Sequence, residues 1–62
     1  MTRREIVKRY CPIVKTGSAW NCYLAVGNQG FFVVKNTTRE RARWFAKMLG
    51  LAIEEIIKEA RE

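Results

Sequence analysis

The strongest chemical signal in the sequence is a run of basic side chains at a predicted helix start, in the stretch NTTRERARWFAK at residues 36–47. The run holds four basic residues and one acid: Arg39, Arg41, Arg43, Lys47 and Glu40. A helix start exposes unpaired N–H groups and about half a positive charge, so each arginine there is unfavourable by roughly 0.3–1 kcal/mol. A bound phosphate would make these arginines favourable at the helix start, because backbone N–H groups and guanidinium groups both bind phosphate. The alternative is a solvated surface whose arginine stems cover neighbouring aromatic rings.

The charge of the whole chain favours an anionic partner. Its 62 residues carry a formal net charge of +6 at pH 7, and the sequence pI is about 9.9. Residues 1–50 hold ten basic and two acidic side chains, whereas residues 51–62 hold two basic and four acidic ones. The positive charge therefore belongs to the first part of the chain. We expect a nucleic-acid partner, with DNA favoured over RNA.

Catalytic and metal chemistry have little support in this composition. The chain has no histidine and no aspartate, and four of its six glutamates crowd the last nine residues, as on a solvated helix surface. Cys11 and Cys22 cannot complete a tetrahedral zinc site without histidine, and Cys22 is typical of a small buried hydrophobic residue. A disulfide between them requires that neighbouring strands place them side by side. We expect no enzymatic activity, no metal site and no cofactor.

Two strands and a turn are predicted in the middle of the chain. The segment AWNCYLAV at residues 19–26 has the alternation of a half-buried strand. The loop GNQG follows, and the next residues, FFVVK, are rich in β-branched and aromatic side chains, which together predict a β-hairpin. One face of the first strand carries Trp20, Cys22, Leu24 and Val26, and the other carries Ala19, Asn21, Tyr23 and Ala25.

The N-terminal segment has two interpretations. The stretch EIVKRYCPIVK, residues 5–15, is expected to form a first strand at a sheet edge, because Pro12 cannot donate a hydrogen bond to a neighbouring strand. The rival interpretation takes Thr2 and Glu5 as a capping box that opens a short helix ending before Pro12. We take the strand as the prediction, which leaves residues 1–5 as a basic N-terminal arm.

A long helix is predicted over residues 37–61. The stretch TTRE supplies a capping box of Thr37 and Glu40, and no proline interrupts the pattern that follows. Gly50 lies in the middle of the pattern and indicates a kink, a break or a close helix contact. The apolar stripe expected to cover the sheet consists of Ala42, Phe45, Ala46, Leu49, Ala52, Ile53, Ile56 and Ala60.

These elements predict one small α+β domain over residues 1–62, with a three-stranded antiparallel sheet in residues 6–35 packed on one long C-terminal helix. With Trp20 in a strand and TTRERA at the helix start, this order resembles the arm-type DNA-binding domains of phage integrases and the plant AP2-type domain. The resemblance implies a sheet laid into the major groove. The order is also similar to that of double-stranded-RNA-binding domains, although those begin with a full helix and have a lysine-rich start to the last one.

The predicted nucleic-acid-binding surface combines the arm, the sheet face opposite the helix and the helix start. Basic residues would contact phosphates, Asn21 would read a base edge, and Tyr23 or Phe31 would stack on bases. Phe31 joins Tyr23 on this face if Phe32 turns inward. The alternative is an ordinary solvated sheet face with cross-strand aromatic pairs. The residues predicted to bind nucleic acid are Arg3, Arg4, Lys8, Arg9, Asn21, Tyr23, Phe31, Lys35, Arg39, Arg41 and Arg43.

A second apolar group on the helix, formed by Trp44, Met48 and Leu51, lies beside the stripe and widens the apolar arc beyond what a small sheet covers. Exposed apolar patches mark protein interfaces, so this shoulder predicts a homodimer. The alternative function is a protein-interaction or inhibitor module of the phage or mobile-element type, and packing within the monomer is the third explanation. We expect a cytoplasmic protein with no membrane partner, because the sequence has no signal peptide and no long apolar run.

Overall fold

The computed structural model describes residues 1–61 as two helices packed on a three-stranded antiparallel sheet. The elements in chain order are α1 (Arg3–Tyr10), β1 (Ile13–Thr16), β2 (Ala19–Val26), β3 (Gln29–Thr37) and α2 (Arg39–Arg61). The strands lie in the order β1-β2-β3. The predicted α+β class, with three antiparallel strands followed by a long C-terminal helix, is confirmed. Among the described residues, no helix is both long and apolar enough to cross a membrane.

The N-terminal segment is a helix, so the predicted strand at residues 5–15 is wrong before Ile13, and so is the predicted arm. The capping box forms: the Thr2 hydroxyl accepts a hydrogen bond from the Glu5 N–H, and the Glu5 carboxylate accepts one from the Thr2 N–H, both at 3.3 Å. Burial of Ile6 against the rest of the fold adds to this local signal. α1 ends two residues before Pro12, which disfavours helical backbone at the residue before it.

Two tight turns connect the strands. Gly17 and Gly27 have φ values of +63° and +59°, in the left-handed region where glycine carries no steric penalty. Val26 pairs with Gln29, so the turn of the predicted hairpin has two residues. The predicted hairpin is confirmed, but its four-residue loop is wrong, because the second half of GNQG already belongs to β3.

The register between β2 and β3 shifts, and the shift decides which side chains share a face. Tyr23 pairs with Phe32, whereas Cys22 pairs with Val34, so Val33 is an extra residue in β3. Directly paired residues point to the same side of a sheet. Phe32 therefore lies beside Tyr23, and Val34 lies beside the buried Cys22. The condition that Phe32 turns inward is therefore not met, and the bulge places Val34 on the opposite face from Phe32.

The core lies between the two helices and one face of the sheet. Both helices contact β2, and α1 also packs along α2. The buried apolar residues are Ile6, Cys11, Cys22, Ala42 and Ala46. The Cys11 thiol donates a hydrogen bond to the Ala46 carbonyl at 3.4 Å, which ties the end of α1 to the middle of α2.

The C-terminal half of α2 extends beyond this core. α2 has 23 residues, or about 34 Å, whereas β1 has only four residues. The predicted apolar stripe of this helix placed Ala52, Ile56 and Ala60 against the sheet. All three are exposed, because the small sheet does not reach them. Gly50 is instead covered by α1, where Val7 lies against it. Of the kink, the break and the close helix contact that the sequence left open at Gly50, the structure shows the close helix contact.

Candidate nucleic-acid interface

A groove between α1 and α2 is lined by several basic side chains and by an aromatic residue. Its volume is about 610 Å³, and its lining includes Val7, Ala46 and the indole of Trp44. The charged residues that line it are Arg3, Arg4, Arg43, Lys47 and Glu40. Four cations and one carboxylate give this groove a local excess of positive charge.

The packing of α1 on α2 brings these residues together from distant parts of the sequence. Arg3 and Arg4 lie in the first turn of α1, and Arg43 and Lys47 lie four residues apart, on one face of α2. The two helices approach closely because α2 has no side chain at Gly50, where α1 crosses it. The N-terminal residues therefore contribute to a built groove and not to an extended arm.

One of the four cations is held by an ion pair. The Arg3 Nε donates to a Glu54 carboxylate oxygen at 3.0 Å, and this hydrogen bond lowers the pKa of Glu54 and raises that of Arg3. Both groups are on the surface, where screening by solvent makes such a pair weak. Among residues 1–61 no other ion pair forms. Arg4, Arg43 and Lys47 thus keep their charges available to a ligand.

Trp44 presents an open aromatic surface in this groove. Its side chain is 57% exposed, and its ring meets Phe45 edge to face, with centroids 5.1 Å apart. Met48 is 47% exposed and Leu51 is half-buried. Trp44, which the sequence analysis assigned to an apolar shoulder, lies among basic side chains.

The open face of the sheet carries a second, smaller aromatic group. The rings of Tyr23 and Phe32 meet edge to face at 5.1 Å, and the Lys35 Nζ lies 5.0 Å from the Phe32 centroid. The Tyr23 ring also crosses Gly30, where a β-carbon would collide with its hydroxyl. Tyr23 and Lys35 share this face. Phe31 does not, because it pairs with Leu24 and points to the other side.

Asn21 is buried inside the sheet and has no polar atom left for a base. Only 4% of the residue is exposed. Its amide nitrogen donates to the Val14 carbonyl at 2.9 Å and to the Thr16 hydroxyl at 3.1 Å, and its oxygen accepts from the Asn36 N–H at 3.0 Å. Asn36 has a φ of +53°, so this bond holds an uncommon left-handed residue. Asn21 joins three strand segments and does not face solvent.

The start of α2 differs from the predicted capping box. The helix begins at Arg39, and the Thr38 hydroxyl accepts from the Arg41 N–H at 3.2 Å. Thr37 pairs with Trp20 in the sheet, so the predicted box of Thr37 and Glu40 is wrong by one residue. The local pattern allowed either threonine to cap, and the pairing of β3 selects Thr38.

The basic residues at the start of α2 separate into two groups. The Arg39 guanidinium lies 5.5 Å from the centroid of Trp20, and the Lys15 Nζ lies 5.9 Å from the same ring. Arg41 is exposed, and Arg43 lines the groove. The contact with Trp20 accounts for Arg39 at a helix start without a bound anion, because a cation over an indole face is attracted by about 0.5–1 kcal/mol.

Lys8 and Arg9 lie in the last turn of α1, away from the groove lining. The Arg9 guanidinium is 5.5 Å from the Tyr10 centroid. Positive charge in the last turn of a helix interacts favourably with the helix dipole. These two residues therefore have a structural explanation that needs no ligand.

The two cysteines are buried free thiols. Burial raises the pKa of Cys11 to about 11, with a smaller contribution from Cys22, and burial also raises the pKa of Cys22. A raised pKa keeps the thiol protonated near neutral pH, which is the opposite of what a nucleophile needs. Among the residues described, no three potential metal ligands come together.

The structure thus joins part of the predicted surface and separates the rest. Arg3, Arg4 and Arg43 meet in the groove, whereas Tyr23 and Lys35 lie on the open sheet face. Sequence reasoning missed Phe32 on that face and Trp44 in the groove. Only the spacing of Arg43, Trp44 and Lys47 could have indicated the latter. No protein-family model, no curated protein and no solved structure matches this chain.

Proposed function

We propose that this protein binds nucleic acid through the groove between α1 and α2, as a binding protein and not as an enzyme. The observation that carries the proposal is the exposed indole of Trp44 among Arg4, Arg43 and Lys47. Lysine and arginine bind phosphates, and an exposed aromatic ring offers a surface to a base. The overall charge of +6 adds a long-range attraction to the same ligand.

The groove has stronger support as the binding surface than the open sheet face does. The sheet face has Lys35 as a cation close to its two aromatic rings, and that lysine already lies over Phe32. The groove has three cations that no carboxylate engages among the described residues. The helices cover the opposite face of the sheet from Tyr23, so a single short ligand would not reach both surfaces.

Fluorescence anisotropy with labelled DNA at several salt concentrations tests the proposal, with duplex RNA measured in parallel. The double variant Arg43→Ala and Lys47→Ala should weaken binding. It should also reduce the slope of log affinity against log salt by about two if each residue contacts a phosphate.

The matched control is Lys8→Ala with Arg9→Ala, which removes the same charge from the far end of α1. This control should leave the slope nearly unchanged. Equal slopes for the two double variants would show that only net charge matters and would reject the groove. Absence of binding at low salt would reject the function.

A protein interface on α2 is the second candidate function. Trp44 and Met48 lie one turn apart and are 57% and 47% exposed, and Leu51 is half-buried beside them. Such a patch would support a homodimer, or capture of another protein by an interaction or inhibitor module. Sedimentation across the micromolar range should then show a dimer that Trp44→Ala and Met48→Ala disrupt and that added salt does not. A monomer throughout would reject self-association.

A cytoplasmic location is part of the proposal. Nucleic acid is available there, and the buried free thiols of Cys11 and Cys22 fit a reducing compartment. Fractionation of cells that produce the protein, with detection by antibody, checks the location.

A further inference from the structure

We propose, on the basis of the function proposed above, that the ligand of this groove is single-stranded nucleic acid with an unpaired base stacked on Trp44. The shape of the site favours a small, flexible ligand. The site is an open groove of about 610 Å³ between two helices, a size that suits one or two nucleotides. A duplex is read by a convex element that enters a groove about 12 Å wide, and this groove between two helices is not such an element.

The aromatic surface of the groove also favours an unpaired base. Trp44 contacts Phe45 edge to face but remains 57% exposed. This exposure is unusual for a large apolar side chain and leaves the residue accessible to a ligand. In a duplex the faces of the bases are stacked on one another, so an indole has no access to them. An unpaired base has an open π-face of the same kind, and the apolar side chains of Val7 and Ala46 line the same cleft.

The charges in the groove also favour a nucleic-acid strand. Arg43 and Lys47 flank Trp44 in sequence on α2, and Arg4 lines the groove from α1. Cations from both helices line the same groove as the aromatic ring, and a strand with both phosphates and bases would use both kinds of group. Stacking does not depend on which base is present, so we expect little sequence preference. An acidic peptide would use the cations but has no need of the indole.

The test uses the intact protein and four labelled probes. These are a short oligothymidine strand, an abasic strand of the same length, a duplex of the same length and a polyglutamate peptide. The single strand should bind at least about tenfold more tightly than the abasic strand, since stacking one base on an aromatic ring is worth about that factor. Trp44→Leu should remove this difference, and Trp44→Phe should keep most of it. The salt slope should not change in either variant.

The outcomes separate this inference from the function on which it rests. Equal binding of the abasic and ordinary strands, or tighter binding of the duplex, would overturn the stacked base but leave salt-dependent nucleic-acid binding in place. Polyglutamate binding as tightly as the single strand would overturn both. If Trp44→Leu does not fold, the comparison of probes on the wild-type protein still tests the preference for unpaired bases, and Trp44→Phe still tests whether an aromatic ring at position 44 maintains it.

Discussion

Val7 of α1 and Gly50 of α2 are in such close contact that a β-carbon at position 50 would lie 2.7 Å from the Val7 Cγ2. This contact sets the distance between the two helices, and the groove that holds Trp44 lies between them. Glycine in the interior of an isolated helix is unfavourable by about 1 kcal/mol relative to alanine. The residue is accommodated because it allows α1 to approach.

The contact predicts that Gly50→Ala destabilises the protein despite the better helix propensity of alanine. Overpacking by one methyl group costs about 1–3 kcal/mol, which exceeds the gain of about 1 kcal/mol. Chemical denaturation followed by circular dichroism measures the free energy of unfolding. In a Val7→Ala background the methyl group has space, so the same substitution should stabilise by up to about 1 kcal/mol. An identical effect in both backgrounds would contradict the proposed contact.

Substitution of Asn21 is expected to lower the stability of the protein strongly, although Asn21 contributes no apolar surface to the core. Asn21→Ala leaves the Asn36 N–H without its acceptor, and removes two further hydrogen bonds to β1. We expect a loss of about 2–3 kcal/mol in the free energy of unfolding, measured by chemical denaturation.

The matched variant for this prediction is Asn36→Gly. It keeps the N–H that Asn21 binds and relieves the φ of +53°, so it should be neutral or slightly stabilising. A loss as large as that of Asn21→Ala would mean that the Asn36 side chain, and not its backbone, is what stabilises this end of β3.

Because the Cys11 thiol is buried, we expect the folded protein to lose stability at alkaline pH. Its pKa is raised by burial from about 9 in an unfolded chain to about 11 in the fold. A raised pKa of an acid favours the protonated, folded state, so this contribution is complete below pH 9 and is lost as the pH rises through 11. Denaturation curves measured between these values should show a steeper fall for the wild type than for Cys11→Ala. Parallel curves would contradict the burial of this thiol.

Arg39 and Arg43 are expected to have different functions although they lie four residues apart. Arg39→Ala removes the contact with Trp20 and should lower the free energy of unfolding by about 0.5–1 kcal/mol, with little change in the salt slope of DNA binding. Arg43→Ala should reduce that slope by about one and change stability by less than about 0.5 kcal/mol. Denaturation and anisotropy on both variants measure the two effects. If both variants reduced the salt slope equally, Arg39 would also contact the nucleic acid.

The local patterns of the sequence determined most of the secondary structure. The alternation in AWNCYLAV and the glycines around it predicted the hairpin, and the 3.6-residue period predicted α2. The capping box of Thr2 and Glu5 also predicted α1, but the segment has β-branched residues as well, so the sequence alone supported both strand and helix. Burial of Ile6 and the contact of Val7 with Gly50 decided for the helix.

Tertiary structure alone decided how the candidate surface is divided. The two-residue turn of the hairpin places Phe32, and not Phe31, beside Tyr23, and one extra residue, Val33, places Val34 on the opposite face from Phe32. Strand alternation alone reveals neither the turn length nor the bulge. The meeting of Arg4 with Arg43 and Trp44 depends on α1 crossing α2, which no local pattern encodes. The sequence by itself determined the elements and the excess of positive charge, because these depend on near neighbours. The packing of distant elements determined which charges and rings form one site.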